Sequence, residues 1–149
     1  MSPRAGRMVD MGLAIAALLL PCAASGSDVD TGAAERGKRL FVAGEGLVGT
    51  METYQAPLPS AVIRCSNCHA GGLNAAGQPS AGGALKGDDL TSYVRRRNGP
   101  PSRYTDAALC KLLRTGVDPA GIYVAESMPR YRIDDGACRD LFVFLQMRT

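Results

Sequence analysis

The chain of 149 residues has no tryptophan, three phenylalanines and one histidine. A single imidazole excludes any site that draws two from one chain, including His-rich zinc sites and bis-histidine ligation of a metal. Charge of one sign is scarce as well. There are 17 basic and 14 acidic side chains, a net charge of +3, and 21% of residues are charged. That balance excludes a strongly basic nucleic-acid binder and an acidic, solvated disordered chain. No apolar run approaches the roughly 20 residues that a membrane-spanning helix needs. Met11 to Leu20 comes nearest and is far shorter. No β-hairpin pattern, internal repeat, phosphate-cradling motif or carboxylate pair with a nucleophile stands out.

That short run has the order of a secretory signal. Arg4 and Arg7 precede it, and Pro21, Ala23, Ala24, Ser25 and Gly26 follow it. Residues 1–26 therefore read as a cleaved signal and 27–149 as one mature domain in the periplasm, with no stable membrane insertion. Pro21 before Cys22 argues against lipoprotein processing. The mature chain stays close to neutral, since Arg4, Arg7 and Asp10 leave together. With 46% apolar residues in the chain, a domain of this size buries about two thirds of its unfolded surface, enough for one core. Secretion also places Cys65, Cys68, Cys110 and Cys138 in an oxidising compartment.

Four segments have helical spacing. Thr31 to Val42 has Asp30 or Thr31 at its N-cap, apolar Ala33, Leu40 and Phe41, and Gly44 past its end. Asp88 to Arg97 is closed by Asn98-Gly99-Pro100-Pro101. Thr105 to Thr115 sets Ala108, Leu109, Leu112 and Leu113 on one face and stops at Gly116. Asp134 or Asp135 to Met147 repeats the pattern with Ala137, Leu141, Phe144 and Leu145. Two glycine-rich connections remain, Gly44 to Pro59 and Gly71 to Gly87. Too few residues flank the second for two domains, so it reads as a loop wrapping a large group.

Cys65-Ser66-Asn67-Cys68-His69 is a C-x-x-C-H sequence, the attachment pattern for c-type haem. Two thiols at this spacing reach two vinyl groups on one porphyrin edge, and the next residue delivers an imidazole to the iron. Three other readings compete. A thioredoxin-like pair needs a βαβ context that the glycine-rich flank does not supply. A zinc site would recruit Cys110 and either His69 or Cys138, which form no second C-x-x-C. A structural disulfide between Cys65 and Cys68 leaves His69 unexplained. For a second axial ligand, the mature methionines are Met51, Met128 and Met147. Met147 sits at a helix end and Met51 in the loop before the motif. Met128 lies in a loop before Pro129, whose ring biases the preceding residue to an extended backbone. Met128 is the expected ligand.

At this point the chain resembles the class I c-type cytochromes, monohaem proteins with N-terminal attachment and a C-terminal methionine loop. The matching residues are Arg36-Gly37-Lys38-Arg39-Leu40-Phe41, Cys65 to His69, Leu113-Arg114-Thr115-Gly116 and Met128-Pro129-Arg130-Tyr131. The resemblance implies an all-α fold, a small cytochrome c fold of three to five helices wrapped around one covalently attached haem c. It also implies that Gly37 lets the first and last helices cross, with Phe41 meeting Leu141, Phe142 or Phe144. A backbone carbonyl would hold the second nitrogen of His69, and Pro79 is the nearest residue for that role. Beyond the simplest members, the chain has the long insert Gly44 to Pro59 and a second cysteine pair. Cys110 and Cys138 are expected to form a disulfide that limits opening of the methionine loop.

The function implied is electron transfer by Fe(III)/Fe(II) cycling between redox protein partners, with Cys65, Cys68, His69 and Met128 holding the haem and no substrate transformed. The chain is expected to be monomeric and to bind no nucleic acid. A haem-based ligand sensor or enzyme subunit with a labile methionine is the alternative, and a zinc module the third class. Arg95-Arg96-Arg97 reads as a solvated face or as a docking patch for an acidic partner. Arg103, Tyr104, Arg130, Tyr131 and Arg132 lie near the loops that would carry the haem propionates.

Overall fold

The computed structural model describes residues 26–71, 77–78 and 80–149. The bulk of the expected signal, residues 1–25, lies outside the described residues, as does Pro79. Helix α1 (Gly26–Ala43) starts earlier than the Asp30 or Thr31 cap expected. Ala33, Ala34, Gly37 and Phe41 form its buried face. Gly44, with φ +69°, closes it by donating its N–H to the Leu40 carbonyl at 3.1 Å.

Helices α5 (Asp106–Thr115) and α6 (Asp135–Gln146) match the sequence pattern closely. Thr105 caps α5 by accepting from the Ala108 N–H, and Gly116 ends it at φ +75°, a left-handed conformation that glycine adopts without steric cost. Asp134 caps α6 by accepting from the Ala137 N–H at 2.8 Å. Leu109, Leu112 and Leu113 of α5 face Leu141 and Leu145 of α6 in one buried cluster. A Cys110–Cys138 disulfide joins the two helices across 28 positions of sequence.

The all-α expectation is overturned. Two antiparallel sheets accompany the helices, one in the order β2-β1-β5 and one formed by β3 and β4. Strands β1 (Val48–Met51) and β2 (Tyr54–Leu58) form a hairpin inside the insert that read as a loop. Strand β5 (Arg130–Arg132) adds to it, pairing Gly49 with Tyr131 and Thr50 with Arg130. These strands are two to five residues long, too short for a period-two pattern to show. The helix expected over Asp88 to Arg97 is also corrected. Only α4 (Gly87–Thr91) is helical, and β3 (Val94–Arg95) then pairs with β4 (Pro101–Ser102). Arg97 and Asn98 turn the chain at φ 48° and 61°. Two further single helical turns, α2 (Ser60–Ile63) and α3 (Ser66–His69), lie between the hairpin and the second glycine-rich connection.

Helices α1 and α6 pack at backbone distance. A Cβ on Gly37 would overlap the Asp140 carbonyl and lie 2.7 Å from the Phe144 Cβ. Arg36 grips the Asp140 carboxylate with two bonds of 2.6 and 2.8 Å, and the Phe41 and Phe144 rings meet at 5.4 Å. No helix among the described residues is long and apolar enough to cross a membrane.

Gly37→Ala is therefore expected to force the two helices apart. Overpacking costs about 1–3 kcal/mol, which a helix-propensity gain of about 1 kcal/mol only partly offsets. Urea unfolding at constant m-value measures the net loss. Replacing Cys110 and Cys138 by serine should lower stability by roughly 3–4 kcal/mol in the same assay, from the freed loop entropy of the unfolded chain.

Candidate functional site

A single turn of helix gathers the C-x-x-C-H side chains. Cys65 is the N-cap of α3, and the His69 N–H donates to the Cys65 carbonyl at 2.8 Å. The two intervening residues anchor that turn. Asn67 Nδ2 donates to the Ala61 and Val62 carbonyls, both at 2.9 Å, while its Oδ1 accepts from Arg64 Nε at 2.8 Å. Ser66 Oγ donates to the Val42 carbonyl near the end of α1.

The imidazole is held from one side. Its Nδ1 lies 3.2 Å from the Gly83 carbonyl. A carbonyl only accepts, so Nδ1 carries the proton and Nε2 keeps its lone pair. Burial lowers the His69 pKa, against the upward pull of the Gly83 and Gly82 backbone bonds, and the ring stays neutral, the form that ligates metals. The family resemblance implied Pro79 for this carbonyl; the one at Nδ1 belongs to Gly83. Gly82 packs on the ring itself, since a Cβ there would overlap the imidazole and sit 2.8 Å from Nε2. Arg148, just past α6, donates to the carbonyls of His69, Ala70 and Leu85 at 3.3, 3.1 and 3.0 Å. Its guanidinium stacks 4.5 Å over the Phe41 ring. Nothing in the sequence singled out Arg148.

Cys65, Cys68, His69 and Met128 all line one cavity of about 760 Å³. Leu109, Leu112 and Leu113 of α5 and Leu141 and Leu145 of α6 form an apolar wall. Leu58, Val62, Ile63 and Tyr131 form another, and the second glycine-rich connection contributes Ala81, Gly82, Ala84 and Leu85. Lys86, Asp89, Arg96, Arg97 and Tyr104 supply polar groups. Met51 reaches the cavity too, from β1, so two of the three candidate thioethers are there. Met147 is 67% exposed at the C-cap of α6.

The arginine run is tied to neighbouring backbone and carboxylate groups, with Arg95 and Arg97 still exposed and Arg96 half-buried. Arg96 donates to the carbonyls of Asp89 and Ser102 and stacks 5.2 Å over Tyr104. Arg97 pairs at 3.0 Å with Asp118, whose carboxylate is fully buried and also accepts from the Ala120 and Ile122 N–H groups. Arg95 donates to the Gly99 carbonyl. Of the other residues expected near propionates, Tyr104 and Tyr131 line the cavity, while Arg103 lies over Tyr93. Tyr131 donates to the Ile63 carbonyl at 2.6 Å, and burial raises its pKa.

Two competing chemistries are disfavoured. The zinc reading required Cys110 or Cys138, and those two are bonded to each other. A redox-active dithiol requires a lowered thiol pKa, whereas burial pushes Cys65 up to about 11. Cys65 and Cys68 are free thiols. No protein-family model, curated protein or solved structure matches the chain.

The cavity suits a cofactor with a large apolar ring. Its volume falls within the range of about 300–1,000 Å³ typical of ligand sites. Its donor set offers two thiols for covalent attachment, a neutral imidazole and a thioether for a soft, borderline metal, and cations for peripheral carboxylates.

Gly82→Ala is expected to displace the imidazole, the softer of the two clashing parts, and break the bond to Gly83. That loss costs about 0.5–1.5 kcal/mol. Nitrogen-resolved NMR of the His69 ring should show Nδ1 losing its protonated signature in the variant; an unchanged tautomer pattern would contradict the role assigned to Gly82.

Proposed function

We propose that the chain is a periplasmic electron carrier holding one haem c, with thioether bonds to Cys65 and Cys68 and axial ligation by His69 and Met128. The observation that carries this reading is the convergence of two free thiols, a neutral imidazole and a methionine thioether on one largely apolar cavity. Site chemistry resembles that of the class I c-type cytochromes, on an architecture that includes two sheets.

When bound, the haem supplies a one-electron Fe(III)/Fe(II) couple. Cys65 and Cys68 would tether it by adding their S–H groups across its two vinyl arms, which would prevent its loss to dilution outside the cytoplasm. His69 presents Nε2 while Gly83 and Gly82 fix the ring plane. Met128 would supply a thioether ligand, which favours the reduced state and a relatively high potential. The leucines of α5 and α6 would keep water from the iron of a bound haem and so limit reorganisation when its charge changes. Lys86, Arg96, Arg97 and Tyr104 offer donors to the two propionates. Partners are redox proteins, and the chain acts as carrier rather than enzyme.

The test is a visible spectrum of the protein secreted from cells competent for haem attachment. The reduced protein should show a sharp α band, keep its haem through denaturing electrophoresis, and not respond to carbon monoxide. Met128→Ala should make the reduced protein bind carbon monoxide, while Met51→Ala leaves it inert. Absence of covalent haem sinks the reading outright. A wild-type protein that binds carbon monoxide favours the ligand-sensor alternative, and an inert Met128→Ala with a reactive Met51→Ala moves the axial role to Met51.

A further inference from the structure

Arg130 occupies a position that none of the cavity chemistry uses. Its side chain is only 14% exposed, yet it is not part of the cavity wall. One arm of the guanidinium donates to the carbonyl of Met128 itself at 2.6 Å. The other arm bonds Glu52 at 3.1 Å, in the turn between β1 and β2. Its flat face rests on Gly116, where any Cβ would overlap the guanidinium. Gly116 is in turn the left-handed cap of α5 and accepts from the Val124 N–H at 2.8 Å. One side chain thus ties the methionine loop to the end of α5 and to the inserted hairpin. Backbone pairing of Thr50 with Arg130 fixes the register of that tie.

We propose that Arg130, seated on Gly116 and anchored by Glu52, is the positioning residue that holds Met128 in place as an axial ligand. This rests on the His69/Met128 reading above. Pro129 fixes its own φ and biases Met128 toward an extended backbone, but leaves ψ of Met128 some freedom within that range. A donor on the Met128 carbonyl removes that freedom and so aims the thioether. The fork is essential, because a lysine ammonium cannot serve two acceptors on different segments with the same fixed geometry. The hairpin insert therefore has a function in ligation. It carries the carboxylate that orients the arginine.

The test uses the full-chain holoprotein and two optical readouts. These are the weak red band of a thioether–ferric bond as temperature rises, and carbon monoxide binding by the ferrous form. Arg130→Gln should lose half the band well below its own unfolding midpoint and bind carbon monoxide at least tenfold more readily than wild type. Arg130→Lys and Glu52→Gln should show the same change in smaller measure, and they carry the test if Arg130→Gln does not fold. Arg36→Gln, which removes an ion pair between α1 and α6, controls for destabilisation alone and should lower the unfolding midpoint with neither optical effect. If the Arg130 variants keep the wild-type band and inertness, or merely track Arg36→Gln, the proposal falls while the haem reading stands. If wild type lacks the band, both fall.

Discussion

The contact between α1 and α6 at Gly37 sets the geometry of everything else. With no Cβ at that position, the α1 backbone rests against the Asp140 carbonyl, closer than any side chain permits. Phe41 then reaches Phe144, and Arg148 stacks on Phe41 while bonding the carbonyl of His69. Phe41, Phe144 and Arg148 thus link the crossing of the terminal helices to the backbone of His69. The same crossing orients α6 so that Leu141 and Leu145 face the leucines of α5 and wall the cavity. The disulfide from Cys110 to Cys138 reinforces that second helix pair.

Around the cavity the chain relies on arginine rather than on aromatic bulk. Loops that line a large void expose main-chain carbonyls to an apolar space, where an unpaired acceptor is costly. A guanidinium has five donors in a rigid fork and satisfies several carbonyls at once. Arg148 does this for the His69 segment, Arg96 for α4 and the β3–β4 turn, and Arg130 for the methionine loop. Asp118 plays the complementary part, buried and accepting from Arg97 and two backbone N–H groups. The near-neutral net charge conceals this. Several cations act as fasteners, and the run at Arg95 to Arg97 bonds backbone and carboxylate groups while Arg95 and Arg97 stay exposed.

Much of the site was legible from residue order. C-x-x-C-H places its three groups on one helical turn whatever surrounds it, because the spacing is local. Caps at Thr105 and Asp134 and the stop at Gly116 were equally readable, since each depends on its own side chain or its own φ. The β1–β2–β5 sheet was not. Its strands are short, Gly49 and Pro57 dilute any alternation, and β5 pairs with β1 from far along the chain. Asp88 to Arg97 misled for a related reason. Its helix-compatible residues are overridden by Arg96, which bonds carbonyls on both sides of the turn, and by the pairing of Val94 with Ser102.

By itself, then, the sequence determined the C-x-x-C-H turn, the bulk of the three main helices and the glycine stop after α5. All are encoded within a few residues of where they act. Only the tertiary structure decided which carbonyl holds His69, which methionines reach the cavity, and what secures the Met128 loop. Gly83, Met51 and Arg130 owe those positions to segments distant in sequence. Contacts of that kind depend on how the chain closes around its cavity, and no local pattern records them.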